Sequence, residues 1–154
     1  PETLAFIRSG FALSDFDRAV TELHKRGIKV IVHLILGLPG ETKEMMRASV
    51  SYAAALPVFG MKLQLLHILK GTDLHTYYES HPFDTFTLDD YCDFVTECVA
   101  LLPPDIVIHR LTGDGPKKLL AAPLWSADKK RVLNQLQRTF REKDIWQGKY
   151  YPQS

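Results

Sequence analysis

Side chains able to do chemistry gather at three places in the 154 residues. The first is His33-Leu-Ile-Leu-Gly-Leu-Pro-Gly-Glu-Thr42, where an apolar run meets two glycines and a proline. The second, Lys62 to Thr72, carries Gln64, His67 and Lys70, and the third, His109 to Pro116, carries Arg110, Thr112 and Asp114. Each ends in a glycine-bearing loop: 37–41, 70–73 and 113–116. Glycine lets backbone approach a ligand closely, but it also serves tight turns that bind nothing. Both readings stand for these loops.

Several chemistries can be set aside. A phosphate loop needs four residues between its glycines and then Gly-Lys-Ser/Thr. Gly37-Leu-Pro-Gly40 is too short, and Glu41 would repel an anion. The loop suits a neutral, flat group lying on bare backbone beside Ile35 and Gly37. Cys92 and Cys98 are six apart on an expected helix, which turns them about 240° from one another. They cannot converge on one ion, and Cys98 is expected in the core with Cys92 partly exposed. The six histidines show neither a His-Glu-x-x-His pair nor the short spacings of zinc sites, so no metal site is expected. Without a Gly-x-Ser-x-Gly elbow, a hydrolase triad has no visible nucleophile.

The elements that would position these residues follow from apolar periodicity. Ser14 is expected to cap a helix carrying Phe16, Ala19, Val20 and Leu23, which Gly27 closes. Residues 28–36 then read as a buried strand with the near-continuous apolarity of one covered on both faces. A helix is expected over 42–56 with Met45, Met46, Val50, Ala53 and Ala54 buried, and a second strand over 61–69. Thr87 to Asp90 resembles a capping box opening a third helix to about Leu102, and Pro103-Pro104 ends it before a third strand, 105–112. A short helix should follow Pro116. A last helix is expected over 126–143 with Val132, Leu133, Leu136 and Phe140 as its apolar stripe.

Three alternations of strand and helix imply parallel strands, hence an α/β fold. Three strands cannot close a barrel, so this is either a small open sheet or part of a larger one. An uncovered sheet edge is a pairing hazard, and self-association through it is expected. In parallel sheets ligands lie beyond the carboxyl ends of strands. Along the first strand His33, Ile35 and Gly37 share one face. His33 there is either a hydrogen-bonded core residue or a group facing a lumen. Lys62 and Gln64 face either a water-holding lumen or solvent. His67 and Lys70 lie near one strand end, and His109, Arg110, Thr112 and Asp114 near another. An Arg110–Asp114 pair would be purely structural.

Composition bounds the rest. A hydrophobic content of 45% and charged content of 24% are those of an ordinary globular domain. A net charge of +1 supplies no overall field for nucleic acid or an anionic membrane. The run from Ile28 to Leu38, interrupted by Lys29 and His33, is too short to span a bilayer. Two cysteines point to a reducing cytoplasm. Because the chain starts at Pro1 with no methionine before it, it is expected to be a piece of something longer. From Asp128 to Lys149 seven Lys/Arg face three acids, with Trp146, Tyr150 and Tyr151 nearby. That pattern fits a solvated helix face, or a non-catalytic α/β module binding RNA or a protein through its basic terminal helix.

The stretch 33–42, together with KLQLLHILKGT (62–72), HRLTGDGP (109–116), PLWSADKKRVLN (123–134) and WQGKYY (146–151), resembles the carboxyl-terminal half of a radical S-adenosylmethionine family. It is the bacterial branch related to the Elongator catalytic subunit, described as predicted Fe-S oxidoreductases. The resemblance covers nearly the whole chain. It implies a parallel three-stranded unit forming the C-terminal part of a partial, TIM-like (β/α)₆ barrel over residues 1–125, with the terminal helix and tail, 126–154, packing on it. It also implies that the full-length protein holds a [4Fe-4S] cluster on Cys-x₃-Cys-x₂-Cys. There S-adenosylmethionine is reductively cleaved to a 5′-deoxyadenosyl radical. No such triplet is present, so this chain alone is expected to hold no cofactor and to be inactive. The family's adenine-packing strand falls on residues 33–41, giving Ile35, Leu36, Gly37, Leu38 and Pro39 as cofactor contacts. Residues 7–11 fall where relatives show Arg-Gly-His; the glycine matches, while Ser9 and Phe11 depart from the pattern. The remaining polar residues, His33, Gln64, His67, Lys70, His109, Arg110 and Asp114, would line the substrate side. The substrate, whether RNA, protein or small molecule, is left open.

Overall fold

The computed structural model of the protein describes residues 2–113 and 115–152. Its framework is a three-stranded parallel sheet, β1 (Ile31–Leu36), β2 (Gly60–Leu65) and β4 (Val107–Arg110), in the order β1-β2-β4. Helices α3 (Lys43–Ala54) and α5 (Leu88–Leu101) carry the chain from one strand to the next. Both start where side-chain caps are available: Thr42 accepts from the Met45 N–H at 3.3 Å, and Thr87 from the Asp90 N–H at 3.1 Å. Helix α1 (Glu2–Phe6) and helix α2 (Leu13–Lys25) precede the sheet. Ser14 is not the cap of α2. Ala12 occupies that place, because the Asp15 carboxylate reaches back to accept its N–H at 3.0 Å.

One face of the sheet carries the core. Val32, Leu36, Met61, Leu63 and Leu65 pack there against Met46 and Val50 of α3 and Tyr91, Phe94, Val95 and Cys98 of α5. Val132 and Leu136 of the last helix, α6 (Lys129–Glu142), belong to the same core. Three side chains differ from expectation. Met45 and Leu133 are 44% and 43% exposed, each one helical step, about 100°, round from the buried Met46 and Val132. Cys92 is fully buried rather than partly exposed, since α5 packs against both α3 and α6 and is covered over most of its circumference. The opposite sheet face is uncovered in this chain: Ile31, Ile35 and Val107 are 37%, 44% and 41% exposed. The apolarity of β1 therefore does not correspond to burial on both sides.

The expected second strand divides. The Leu66 N–H donates to the Leu36 carbonyl at 2.9 Å, after which the chain leaves the parallel sheet. Ile68–Leu69 form β3, antiparallel to β5 (Leu120–Ala122), as a separate two-stranded ribbon. Between β3 and α5 lies α4 (Asp73–Ser80), capped by Thr72, which periodicity does not predict. The short helix after Pro116 is a three-residue 3₁₀ turn, Lys117–Leu119. The last helix starts at Lys129, not Ser126; Asp128 caps it, and Ser126 belongs to a preceding 3₁₀ turn where its hydroxyl donates to Pro123. The tail is pinned to the end of α5. The Tyr150 N–H donates to Ala100 at 2.9 Å, and the Gln147 amide donates to Pro103 and Ile106, both at 2.7 Å. Among the described residues no helix is long and apolar enough to cross a membrane.

Candidate functional site

The uncovered face is organised in rows by strand register. Ile31 lies beside Gly60 and Val107; His33 lies beside Lys62, which lies beside Arg110; Ile35 lies beside Gln64. In parallel pairing, residues in register point to the same side, so the polar row is flanked above and below by apolar residues. A bulge opposite Met61 and Lys62 inserts His109 before Arg110. The His109 ring turns over Gly60: a Cβ on that glycine would come within 2.7 Å of the ring Cδ2. His33 and His109 are exposed, while Lys62, Gln64 and Arg110 are half-buried. Partial burial, and then the charges of Lys62, Arg110 and His109, hold the His33 imidazole below its usual protonation range. This face is cationic.

The turn after β1 is braced from behind. Gly37 has φ +93°, in the region that favours glycine. Its N–H is directed at Met46 Sδ at 3.1 Å. A Cβ at Gly37 would stand 3.2 Å from the Phe86 ring. Phe86 is itself held, stacked on Phe94 at 5.6 Å and edge-on to Tyr91 at 5.8 Å, with its carbonyl accepting from Trp125 Nε1 at 2.8 Å. The Glu41 N–H closes the turn on Leu38 at 3.1 Å, and burial raises the Glu41 carboxyl pKa.

Of the five expected cofactor contacts, Ile35 offers an exposed side chain and Gly37, Leu38 and Pro39 are half-buried. Leu36 is corrected. Strand alternation turns its side chain into the core, where it is 1% exposed, and its carbonyl is taken by Leu66. Leu38 packs beside Leu66, Ile68 and Ala122.

The substrate-side residues do not form one group. His33, Gln64, His109 and Arg110 share the open face. His67 lies instead against the 113–115 loop, its ring filling the space a Cβ would need at Gly113 and approaching that of Gly115 within 2.8 Å. Those two glycines thus make room for a histidine. Lys70 is exposed beyond β3, its N–H donating to Leu119 at 2.7 Å, so it stands at the end of the ribbon and not of β2. Asp114 lies outside the described residues. Near the amino terminus, Leu4, Arg8, Gly10, Phe11 and Leu13 line a shallow cleft of about 620 Å³, and Arg8 pairs with Asp73 at 2.7 Å. Sequence reasoning missed the Phe86–Tyr91–Trp125 bracket. Its only signal was aromatic residues at 86, 91 and 125, whose meeting depends on tertiary packing.

Comparison with known proteins bears on this arrangement. Residues 58–142, from just before β2 to the end of α6, match the Radical SAM C-terminal domain. The chain belongs to that family. The Radical SAM C-terminal domain is thus the setting of β2, β4, α5 and α6. Over 149 residues the chain is 36% identical to the uncharacterized protein YtqA of Bacillus subtilis, covering 97% of this chain and 46% of that protein. It is 30% identical to protein YhcC of Escherichia coli, covering 94% of this chain and 47% of the relative. The chain spans about half the length of these relatives. Its fold matches that of the archaeal Elp3 of Methanocaldococcus infernus with an N-terminal deletion, at a TM-score of 0.77 and 18% identity, over 95% of this chain and 34% of that one. The carboxyl-terminal, Elongator-related character expected from the sequence and the parallel α/β architecture are both found.

Among the described residues, no group of three or more His, Cys, Asp or Glu could hold a metal ion. Both thiols lie in the core, and burial pushes each pKa up to about 12. Such thiols are not ready ligands.

Proposed function

We propose that this chain is the cofactor- and substrate-binding half of a radical S-adenosylmethionine enzyme. In this reading Ile35 and the backbone of Gly37 to Pro39 form a shelf for the adenine, and the open sheet face receives substrate. The observation that carries it is Ile35. It is a large β-branched residue, 44% exposed on a parallel strand, directly before a braced glycine turn at the strand's carboxyl end. An apolar flat group laid on that side chain would bury it without displacing any core residue. The cofactor, when bound with its [4Fe-4S] cluster in the longer protein, supplies a carbon-centred radical for hydrogen abstraction. Cys92 and Cys98 do not fit a cluster ligand set, so this reading requires Cys-x₃-Cys-x₂-Cys upstream in the longer protein.

Covering the remaining exposed part of Ile35 is worth about 1 kcal/mol, roughly fivefold in affinity. In the longer protein with its cluster in place, Ile35→Ala should weaken S-adenosylmethionine binding by about that factor in equilibrium dialysis, with no change in melting temperature. Unchanged affinity would remove the adenine contact. An upstream frame without the cysteine triplet would remove the radical chemistry.

A module that binds RNA or protein through α6 draws less support. Arg138 is paired with Glu142 and Lys143 with Asp93, at 2.7 and 2.8 Å. The ammonium of Lys149 sits 4.6 Å from the Trp146 ring and 5.9 Å from that of Tyr150, so both rings already have a cation partner.

A further inference from the structure

Gln64 stands beside Ile35 in the parallel ladder of β1 and β2, two residues before the chain leaves the sheet at Leu66. Its neighbours along the strand, Leu63 and Leu65, are buried in the core, so alternation turns Gln64 to the open face. Partners in register lie about 4.8 Å apart with their side chains on one side. Glutamine is the longer of the two, so its amide can reach the rim of a group resting on the Ile35 side chain. Position in the sequence groups Gln64 with the substrate-side residues; the register sets it against the shelf instead. Parallel sheets are normally covered on both faces, so a ligand that covers Ile35 also closes over the Gln64 amide. That amide carries one acceptor and two donors, and it makes no hydrogen bond with any other described residue. Covering it unpaired is costly. The occupant therefore needs an apolar face for Ile35 and, along its rim, a donor next to an acceptor for Gln64. A saturated chain or a phenyl ring has the face without such a rim, and a phosphate has no such face. An aminopurine has both, and a glutamine amide pairs at once with its amino group and the adjacent ring nitrogen.

We propose that Gln64 is the specificity-determining residue of the adenine shelf, its side-chain carbonyl accepting from the 6-amino group and its NH2 donating to a neighbouring ring nitrogen. The proposal rests on adenine lying at Ile35. It adds what Ile35 cannot supply, since an isoleucine accepts any flat apolar group, whereas a site that hydrogen-bonds an amino group rejects the analogue lacking it. Both residues sit within one ladder, so the spacing of shelf and amide is fixed before any ligand arrives.

The test measures binding, by equilibrium dialysis, to the longer protein with its cluster in place. The probes are S-adenosylhomocysteine and its counterpart whose purine carries hydrogen instead of the 6-amino group. The native protein should bind the first roughly tenfold more tightly, because the second leaves the Gln64 carbonyl covered and unpaired. Gln64→Met, of similar length and without hydrogen-bonding groups, should bring that ratio to about one. Gln64→Leu should do the same, so that a folding effect peculiar to one replacement is recognised. Ile35→Ala should instead weaken both probes by the same factor and keep the ratio. A native ratio near one, a ratio preserved in the two Gln64 variants, or loss of all binding in both of them overturns the proposal. Where the ratio fails while Ile35→Ala still weakens binding, the adenine shelf stands without Gln64. Where Ile35→Ala changes nothing, the shelf is withdrawn and this proposal with it.

Discussion

Gly37 invites substitution as a test of ligand binding, and its surroundings show why that test would mislead. Alanine at Gly37 meets two obstacles. A φ of +93° is disfavoured for any residue with a Cβ, costing about 1 kcal/mol. The new methyl would stand 3.2 and 3.3 Å from two carbons of Phe86, closer than an easy contact. Phe86 cannot swing aside freely, because Phe94 and Tyr91 pack on its ring and its carbonyl holds the Trp125 indole. Crowding of this kind adds about 1 kcal/mol or more, for a total near 2 kcal/mol. Gly40 supplies the control. Its φ is +78°, and nothing lies within 4 Å of a Cβ built there, so Gly40→Ala carries the backbone cost alone. Urea unfolding should therefore place Gly37→Ala about 1 kcal/mol below Gly40→Ala, with the slope unchanged. The combined Gly37→Ala, Phe86→Leu protein should recover part of that gap relative to Phe86→Leu alone. Equal losses at Gly37 and Gly40 would refute the claim that Phe86 constrains the turn, and would restore Gly37 as a clean reporter of ligand contact.

Tyr91 is fully buried and its hydroxyl donates to the Leu111 carbonyl at 2.9 Å, so Tyr91→Phe should cost about 1 kcal/mol by urea unfolding. An unchanged midpoint would mean that this bond adds nothing to stability. The buried thiols give a pH dependence of definite sign. With folded values about 12 and an unfolded value near 8.5, their contribution is complete below pH ~8.5 and is lost as pH rises towards 12. Cys98→Ala should flatten the decline in stability over that window. Native protein at pH 8 should resist a thiol reagent at both cysteines, whereas denatured protein labels at both; rapid native labelling at either would show that it is not sequestered.

The parallel sheet, its helices and the turn after β1 were legible because local signals carried them. Thr42 and Thr87 cap the helices expected of them, and alternation along β1 separates Val32 and Leu36 from His33 and Ile35. The failures arose where tertiary contacts decide. The Leu66–Leu36 bond ends β2's course along β1, and the ribbon then pairs Ile68 with Ala122, more than fifty residues later. The exposure of Met45 and Leu133 turned on one helical step each, within runs where adjacent residues are both apolar. Similarly, Cys92 is buried because α5 is packed against both α3 and α6, and no local pattern announces that. For the site, sequence placed Ile35 and His33 together but also drew in Lys70, which depends on whether β2 continues past Leu65.

The glycine turn and the cationic row are supported from opposite sides, and that separates their roles. Behind β1, Met46, Phe86 and the aromatic groups holding Phe86 fix Gly37 so firmly that its glycine identity is explained without any ligand. In front, nothing in the described chain explains Ile35 or Lys62: one is an apolar side chain left open, the other a cation with no acid in register. A residue accounted for by packing is a poor witness to function. One left unaccounted for by packing is a better one. On that criterion Ile35 and Lys62 are the positions of the open face to test first, and the braced turn holds β1 in the register that presents Ile35.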